Sequence, residues 1–295
     1  MGSSEIESIR ALLGAKPRPV GWPARRERIN EVGAHWPIAA DVRLQAVDLD
    51  GVSGEWSATP DADMARVLIF FHGGGYCSGS VVSHRSMVTE AGRAAGVRTL
   101  AVDYRLAPEH PFPAALDDAR TAWRWLRRQG IAPRHVAVAG DSAGGGLSAV
   151  LINVLREAGE EGPACAWLVS PWTDLTMSGA TMDTKDAVDP LIHKGYLGEL
   201  AEAYVPAGMD RRDQHLSPLF ADLRGLPPTL IQVGGDETLL ADATRFAEAA
   251  GAANVPVTLE IWPHMIHAWP LWNAGLTPGR QALAKAGAFI REHLG

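Results

Sequence analysis

The chain has 295 residues, 46% of them hydrophobic, and a formal net charge of -7. That length and apolar content can fill the core of one large α/β domain, with or without an embellishment. The acid excess argues against a nucleic-acid partner, which is usually met by a basic surface, and suits solubility. The two cysteines, Cys77 and Cys165, lie far apart without a CxxC pair, so no disulfide framework, zinc site or other metal site is expected. Met1 to Arg10 is polar without a signal-like apolar stretch, and no apolar run reaches the ~18 residues of a membrane span. A soluble, cytoplasmic protein is the expectation.

In chain order, Glu5–Leu13 and Ala24–Val32 read as helices broken by the Pro17–Pro23 stretch, with Gly33 as a helix-stop signal. They precede the first strand and read as part of a cap. Val42–Leu49 and Gly54–Ala58 are strand-like and joined by an Asp50-Gly51 hairpin signal. Ala65–Phe71 is apolar but for Arg66, as in a strand buried on both faces. A helix over Ser83–Ala95, a strand over Arg98–Tyr104, a proline-rich connection and an amphipathic helix over Ala114–Gln129 follow. The apolar run from His135 ends at Gly140, and Ala164–Ser170 is another buried strand. From Pro171 to about Ser217 the pattern breaks down around one helix near Lys194–Tyr204. This stretch reads as an insertion that pairs with the N-terminal helices as a lid. Regularity returns with strand Thr229–Val233, helix Leu239–Ala250, strand Val257–Trp262 and helix Gly279–His293. Strands alternating with helices imply a mostly parallel sheet covered on both faces, with ligands at the carboxyl ends of its strands.

Gly140-Asp141-Ser142-Ala143-Gly144 sits where a buried strand turns sharply into a helix (Leu147 to Glu157). Small flanks permit a strained turn that exposes the Ser142 hydroxyl, and the helix start places N–H groups beside it. His72-Gly73-Gly74-Gly75 ends an earlier strand; three consecutive glycines let backbone N–H groups converge on one point. Aimed at a developing oxyanion, such donors are worth about 3–4 kcal/mol each. His72 reads as a structural side chain that holds this loop. The motif lacks the Gly-x-Gly-x-x-Gly or Gly-Lys-Ser/Thr pattern of a phosphate loop.

A serine nucleophile needs a base and an orienting carboxylate. Asp236 is the first acid after the strand Thr229–Val233, on a Gly-Gly turn, with Glu237 as its rival; either could cap the helix near Leu239. Asp189-Pro190-Leu191 is a decoy that falls in the insertion. His264 and His267 follow the next strand, and the later one has the loop length to reach back over Ser142. The aromatic and apolar residues Tyr76, Trp172, Met265, Trp269 and Trp272 cluster in sequence near these loops and are candidate substrate contacts.

These stretches, with Tyr104-Arg105-Leu106-Ala107-Pro108-Glu109-His110-Pro111-Phe112-Pro113-Ala114-Ala115 and Ser170-Pro171-Trp172, resemble the hormone-sensitive-lipase-like (family IV) esterases of the α/β-hydrolase superfamily. The resemblance implies an α/β-hydrolase fold with an eight-stranded, mostly parallel sheet, helices on both faces and a helical cap. It implies a cap from residues 1–41 and 173–215, and a catalytic domain from 42–172 and 216–295. It implies carboxylic-ester hydrolysis without a cofactor, with Ser142 as nucleophile, His267 as base and Asp236 as acid, while a compact pocket walled by the aromatic candidates would favour small or short-chain esters. Gly73, Gly74, Gly75 and Ala143 would form the oxyanion hole. The family often has Asp-Pro-Leu at the acid, where this chain reads Asp236-Glu237-Thr238. Lactone hydrolysis would use the same machinery, and a homodimer stays open.

Overall fold

The computed structural model describes residues 2–295. Two helices come first, α1 (Gly2–Gly14) and α2 (Trp22–Ala34), then strands β1 (Arg43–Asp48), β2 (Ser53–Ala58) and β3 (Asp63–Phe71). Helix α3 (Val81–Ala95), strand β4 (Val97–Asp103), helix α4 (Ala114–Arg128), strand β5 (Val136–Asp141), helix α5 (Ala143–Glu157) and strand β6 (Cys165–Val169) follow. The irregular segment holds α6 (Thr181–Thr184) and α7 (Lys194–Tyr204). Strand β7 (Thr229–Gly234), helix α8 (Leu240–Ala252), strand β8 (Val257–Trp262) and helix α9 (Thr277–His293) complete the chain.

One eight-stranded sheet results, in the order β1-β2-β4-β3-β5-β6-β7-β8. The β1–β2 and β2–β4 pairs are antiparallel and every other pair is parallel. The parallel strands read as continuous apolar runs because helices cover both their faces. In β3, Val67, Ile69 and Phe71 pack on one side with Ala119, Trp123 and Leu151 of α4 and α5. Leu68 and Phe70 pack on the other with Met87 of α3 and Leu283 and Ile290 of α9, the period of two expected of a strand. Strands β5 and β3 lie at the centre, which brings the Ser142 turn beside the glycine loop that follows β3.

Local signals set most boundaries. Helix α3 starts at a reciprocal Ser80–Ser83 capping box and stops at Gly96, whose φ is +68°. Gly33 has a different role from the helix stop expected of it. Helix α2 runs through it, and a Cβ there would sit 2.4 Å from the Ser83 backbone, so the glycine lets α2 approach α3. No residue of α2 is buried. Polar contacts hold it: Arg26 donates to the carbonyls of Cys77 and Ala107 and pairs with Glu109 at 2.6 Å, while Arg25 pairs with Glu199 of α7. Leu197, Leu200 and Tyr204 of α7 instead enter the main core cluster. Among the described residues no helix is long and apolar enough to cross a membrane.

Candidate active site

Strand β5 is buried at every position, and the chain reverses at Ser142 with φ 53° and ψ -122°. A non-glycine residue there costs on the order of 1–3 kcal/mol, held by the surrounding structure. The Ser142 N–H donates to Val169 O at 2.8 Å, and Ser142 O accepts from the N–H groups of Gly146 and Trp172. The flanking glycines are obligatory: a Cβ on Gly140 would lie 2.3 Å from Gly144 O, and one on Gly144 would lie 1.9 Å from Phe71 O.

Behind the turn, the loop after β3 is fixed through buried polar groups. The Gly73 N–H donates to Asp141 Oδ1 at 2.9 Å, and His84 Nε2 lies 3.2 Å from the same carboxylate. Burial alone would raise the Asp141 carboxyl, but His84, His267 and the Gly73 N–H hold it below the usual aspartate value. The Tyr104 hydroxyl donates to His72 O at 2.7 Å, and the His72 ring stacks on Tyr104 with centroids 4.2 Å apart. His72 Nδ1 donates to Gly73 O. Burial, then the nearby His84, push the His72 imidazole down to about 3. It is therefore a neutral structural ring, as expected. Gly73, expected among the oxyanion donors, is corrected: Asp141 already occupies its N–H. Gly74 and Gly75 continue at φ +114° and +63°. Among the described residues the N–H groups of Gly74, Gly75 and Ala143 donate to no other group of the protein. Ala143 opens helix α5, so the positive end of that helix dipole adds to the same spot.

The acid is a second correction. His267 is 5% exposed, and its Nδ1 lies 3.2 Å from Glu237 Oε1, not from Asp236. Glu237 is fully buried, and its Oε2 accepts from Ser170 Oγ and the Gly234 N–H, both at 2.8 Å. Ser170 Oγ in turn accepts from the Ala268 N–H at 3.1 Å, which ties the residue after His267 to the same carboxylate. Asp236 points outward and pairs with Arg10 at 3.0 Å and Lys185 at 3.4 Å, near the 84% exposed His264. The cause is backbone direction. After β7, Gly235 N donates to Trp262 O and Asp236 N to Met265 O, so Asp236 runs along the neighbouring loop and the next residue turns inward. With Nδ1 donating to Glu237, His267 presents Nε2 as its free acceptor. Burial would lower the His267 pKa. The hydrogen bond and charge of Glu237, helped by Asp189 and Asp141, outweigh that and raise it above 6.5.

Asp189, a decoy by sequence, belongs to this network. It is buried; Oδ1 accepts from the Leu191 and Ile192 N–H groups at 2.9 and 3.0 Å, and Oδ2 from the Thr238 N–H at 2.9 Å. It joins the irregular segment to the residue after Glu237. The Asp-Pro-Leu spacing was visible, but the contact to Thr238 spans 49 residues and leaves no local signal.

Ser142, His267, Gly74 and Gly75 share the lining of one cavity of about 390 Å³. The apolar part of its wall includes Ile29, Val32 and Trp36, Leu191, Tyr196 and Leu200, and Leu271 and Trp272. Of the aromatic and apolar candidates only Trp272 lines it. Tyr76, Trp172, Met265 and Trp269 are corrected to core residues: Tyr76 stacks on Tyr204 at 3.9 Å, and the Trp172 indole N–H donates to Asp174 O. Met265 and Trp269 pack with Ile6 and Ile9 of α1. Cys77 and Cys165 are buried, free thiols, both pushed up to about 12 by desolvation.

An eight-stranded sheet that brings a strained serine, a buried imidazole paired to a carboxylate and unpaired glycine N–H groups around one cavity is the arrangement of a hydrolase. A family model described as alpha/beta hydrolase fold matches residues 68–271, and the chain belongs to that family. It is 40% identical to an acetyl-hydrolase of Streptomyces hygroscopicus, over all of this chain and 99% of that protein. It is 34% identical to an esterase of Acinetobacter venetianus, over 90% of this chain and 88% of that one. A crystal structure of an esterase from the bacterial hormone-sensitive lipase family superposes with a TM-score of 0.96 at 39% identity, covering 99% of both chains. An esterase/lipase from an uncultured bacterium gives 0.94 at 40% identity, covering 98% of both. The resemblance read from the motifs therefore holds for family, fold and class: the protein is a carboxylic ester hydrolase.

Proposed function

We propose that the protein is a serine carboxylesterase acting on small, short-chain esters through Ser142, His267 and Glu237. The observation that carries this reading is His267, held by Glu237 from behind, lining the same cavity as Ser142, Gly74 and Gly75, with the Ala143 N–H next to Ser142 in the chain and unpaired like those of the two glycines. His267 Nε2 takes the proton of Ser142 Oγ as the oxygen attacks the ester carbonyl. The three N–H groups hold the resulting oxyanion. The alcohol leaves with the proton from His267, and water repeats the sequence on the acyl-enzyme. Glu237 keeps the imidazole in the tautomer with Nδ1 protonated and stabilises the imidazolium. Residues 1–41 and 173–215 act as a cap over the catalytic part, 42–172 and 216–295.

The short-chain preference is supported by the volume, about 390 Å³, and by the bulky rings of Trp36, Tyr196 and Trp272 in its lining. Hydrolysis rates for 4-nitrophenyl acetate, butyrate and palmitate, on wild type and Ser142→Ala, test it. Acetate and butyrate should be cleaved faster than palmitate, and Ser142→Ala should lose on the order of 10⁶-fold in kcat. Palmitate as the best substrate, or retained turnover by Ser142→Ala, would overturn the reading.

A further inference from the structure

The cavity is charged in the opposite sense to the molecule. The chain carries a net charge of -7, yet Lys16, Arg18, Arg25 and Arg28 all line this one pocket. Among the described residues its lining holds a single carboxylate, Asp141, which is buried against His84 and the Gly73 N–H. Two of the four cations are compensated from outside the pocket: Arg25 by a two-point pair with Glu199, Arg28 by Glu31 at 3.8 Å. No described carboxylate lies within ion-pair distance of Lys16 or Arg18. The Arg18 guanidinium sits over the Tyr196 ring, 3.5 Å from its centroid, and donates only to the Leu191 carbonyl. Arg25 approaches the same ring at 5.3 Å, so two like charges lie against one aromatic side chain, and only Arg25 has a carboxylate, Glu199, within ion-pair distance.

A planar guanidinium held on a ring keeps donors free for a carboxylate, which it can bind through two parallel N–H groups. A cleft of one sign also concentrates oppositely charged substrate. We infer that this cavity selects esters carrying a second, ionised carboxylate, and that Arg18 with Lys16 receives that group. The inference rests on the esterase reading above and names the substrate class of the same site. The apolar wall of Leu191, Ile192 and Leu200 then covers the carbon chain between the carboxylate and the scissile ester.

The test compares matched esters that differ in one charge. On the alcohol side these are 4-acetoxybenzoate and its methyl ester; on the acyl side, 4-nitrophenyl hydrogen adipate and 4-nitrophenyl methyl adipate. Wild type should favour the carboxylate in at least one pair by about fivefold or more in kcat/KM, the range of a partly shielded charged contact. That ratio should fall with added salt. It should drop towards one in Lys16→Gln/Arg18→Gln and below one in Arg18→Glu, with the methyl esters reporting that each variant is folded. Equal rates within both pairs, with methyl-ester turnover still lost in Ser142→Ala, would overturn this inference and leave the esterase reading standing. A preference that survives in the double variant would overturn the assignment to Arg18 and Lys16. No turnover of any ester would overturn the esterase reading itself, and this inference with it.

Discussion

The floor and the roof of the cavity are built by different means. On the floor, the Ser142 turn and the His72 loop tolerate almost no change, because backbone approaches at Gly140, Gly144 and Gly74 leave no room for a Cβ. Buried polar groups on the floor are tied to one another, as in the chain from Ala268 N–H through Ser170 to Glu237. The roof is mixed: α1 and α7 send Ile6, Ile9, Leu197, Leu200 and Tyr204 into cores, whereas α2 buries no residue and is held largely by ion pairs and hydrogen bonds at partly exposed sites. Such pairs are worth about 0–1 kcal/mol each. The contrast teaches that reaction chemistry is fixed by close backbone packing, whereas substrate choice is carried by side chains that can change cheaply.

Asp189 crosses that divide, and substituting it is the way to break the comparison. Its carboxylate accepts from the roof at Leu191 and Ile192 and from the floor at Thr238. In Asp189→Asn one oxygen becomes an NH2 that meets donors on whichever side it faces. A displacement near 1 Å at a catalytic group can cost up to about 10²-fold. The expected loss is therefore about ten- to a hundredfold in kcat, with a smaller change in KM. Asp189 also helps hold the His267 proton, so its charge removal should move the acid limb of the pH–rate profile to lower pH. A pure KM effect with an unmoved limb would confine Asp189 to the roof.

A smaller effect sharpens the comparison at the base of the irregular segment. Asp242 is fully buried; Oδ2 accepts from the Thr173 and Asp174 N–H groups, and Oδ1 has no partner among the described residues. Burial, then the neighbouring Asp174, push its pKa up to about 8 from 3.8. Between those values the unfolded chain has released a proton that the folded chain keeps. This group's contribution to stability is therefore full below 3.8, falls as pH rises, and is lost above about 8. Asp242→Asn keeps the acceptor and places an uncharged amide where Oδ1 stands. Its melting temperature should fall less than that of wild type between pH 5 and 9. Parallel melting curves for the two proteins would remove Asp242 as a source of pH sensitivity.

Much of this was legible before the fold was known. Apolar runs located the buried parallel strands because helices cover both their faces, whereas β1 and β2, mostly exposed or half-buried, were legible through the Asp50-Gly51 hairpin signal between them. The Gly-x-Ser-x-Gly and His-Gly-Gly-Gly stretches located the floor because each glycine answers a steric demand. What escaped was direction. The choice of Asp236 over Glu237 hangs on a one-residue offset after Gly235, set by hydrogen bonds to Trp262 and Met265 on a different strand's loop. Tyr76, Trp172 and Trp269 stand next to active loops in sequence yet face inward, because large rings bury most area in the core. Gly73 lost its expected role through a contact to Asp141 that spans 68 residues.

The central claim is that Glu237, the inner of two adjacent acids, orients His267. The most direct measurement is kcat/KM for 4-nitrophenyl butyrate as a function of pH, in Glu237→Gln and Asp236→Asn side by side. The account predicts a loss of about 10⁴-fold for Glu237→Gln, the scale seen when a triad carboxylate is removed elsewhere. It predicts a change within about tenfold for Asp236→Asn, whose partly exposed ion pairs lie away from His267 and contribute little. Because only the neutral imidazole acts as base, Asp236→Asn should keep an acid limb whose midpoint lies above 6.5. A crippled Asp236→Asn beside a nearly intact Glu237→Gln would contradict it.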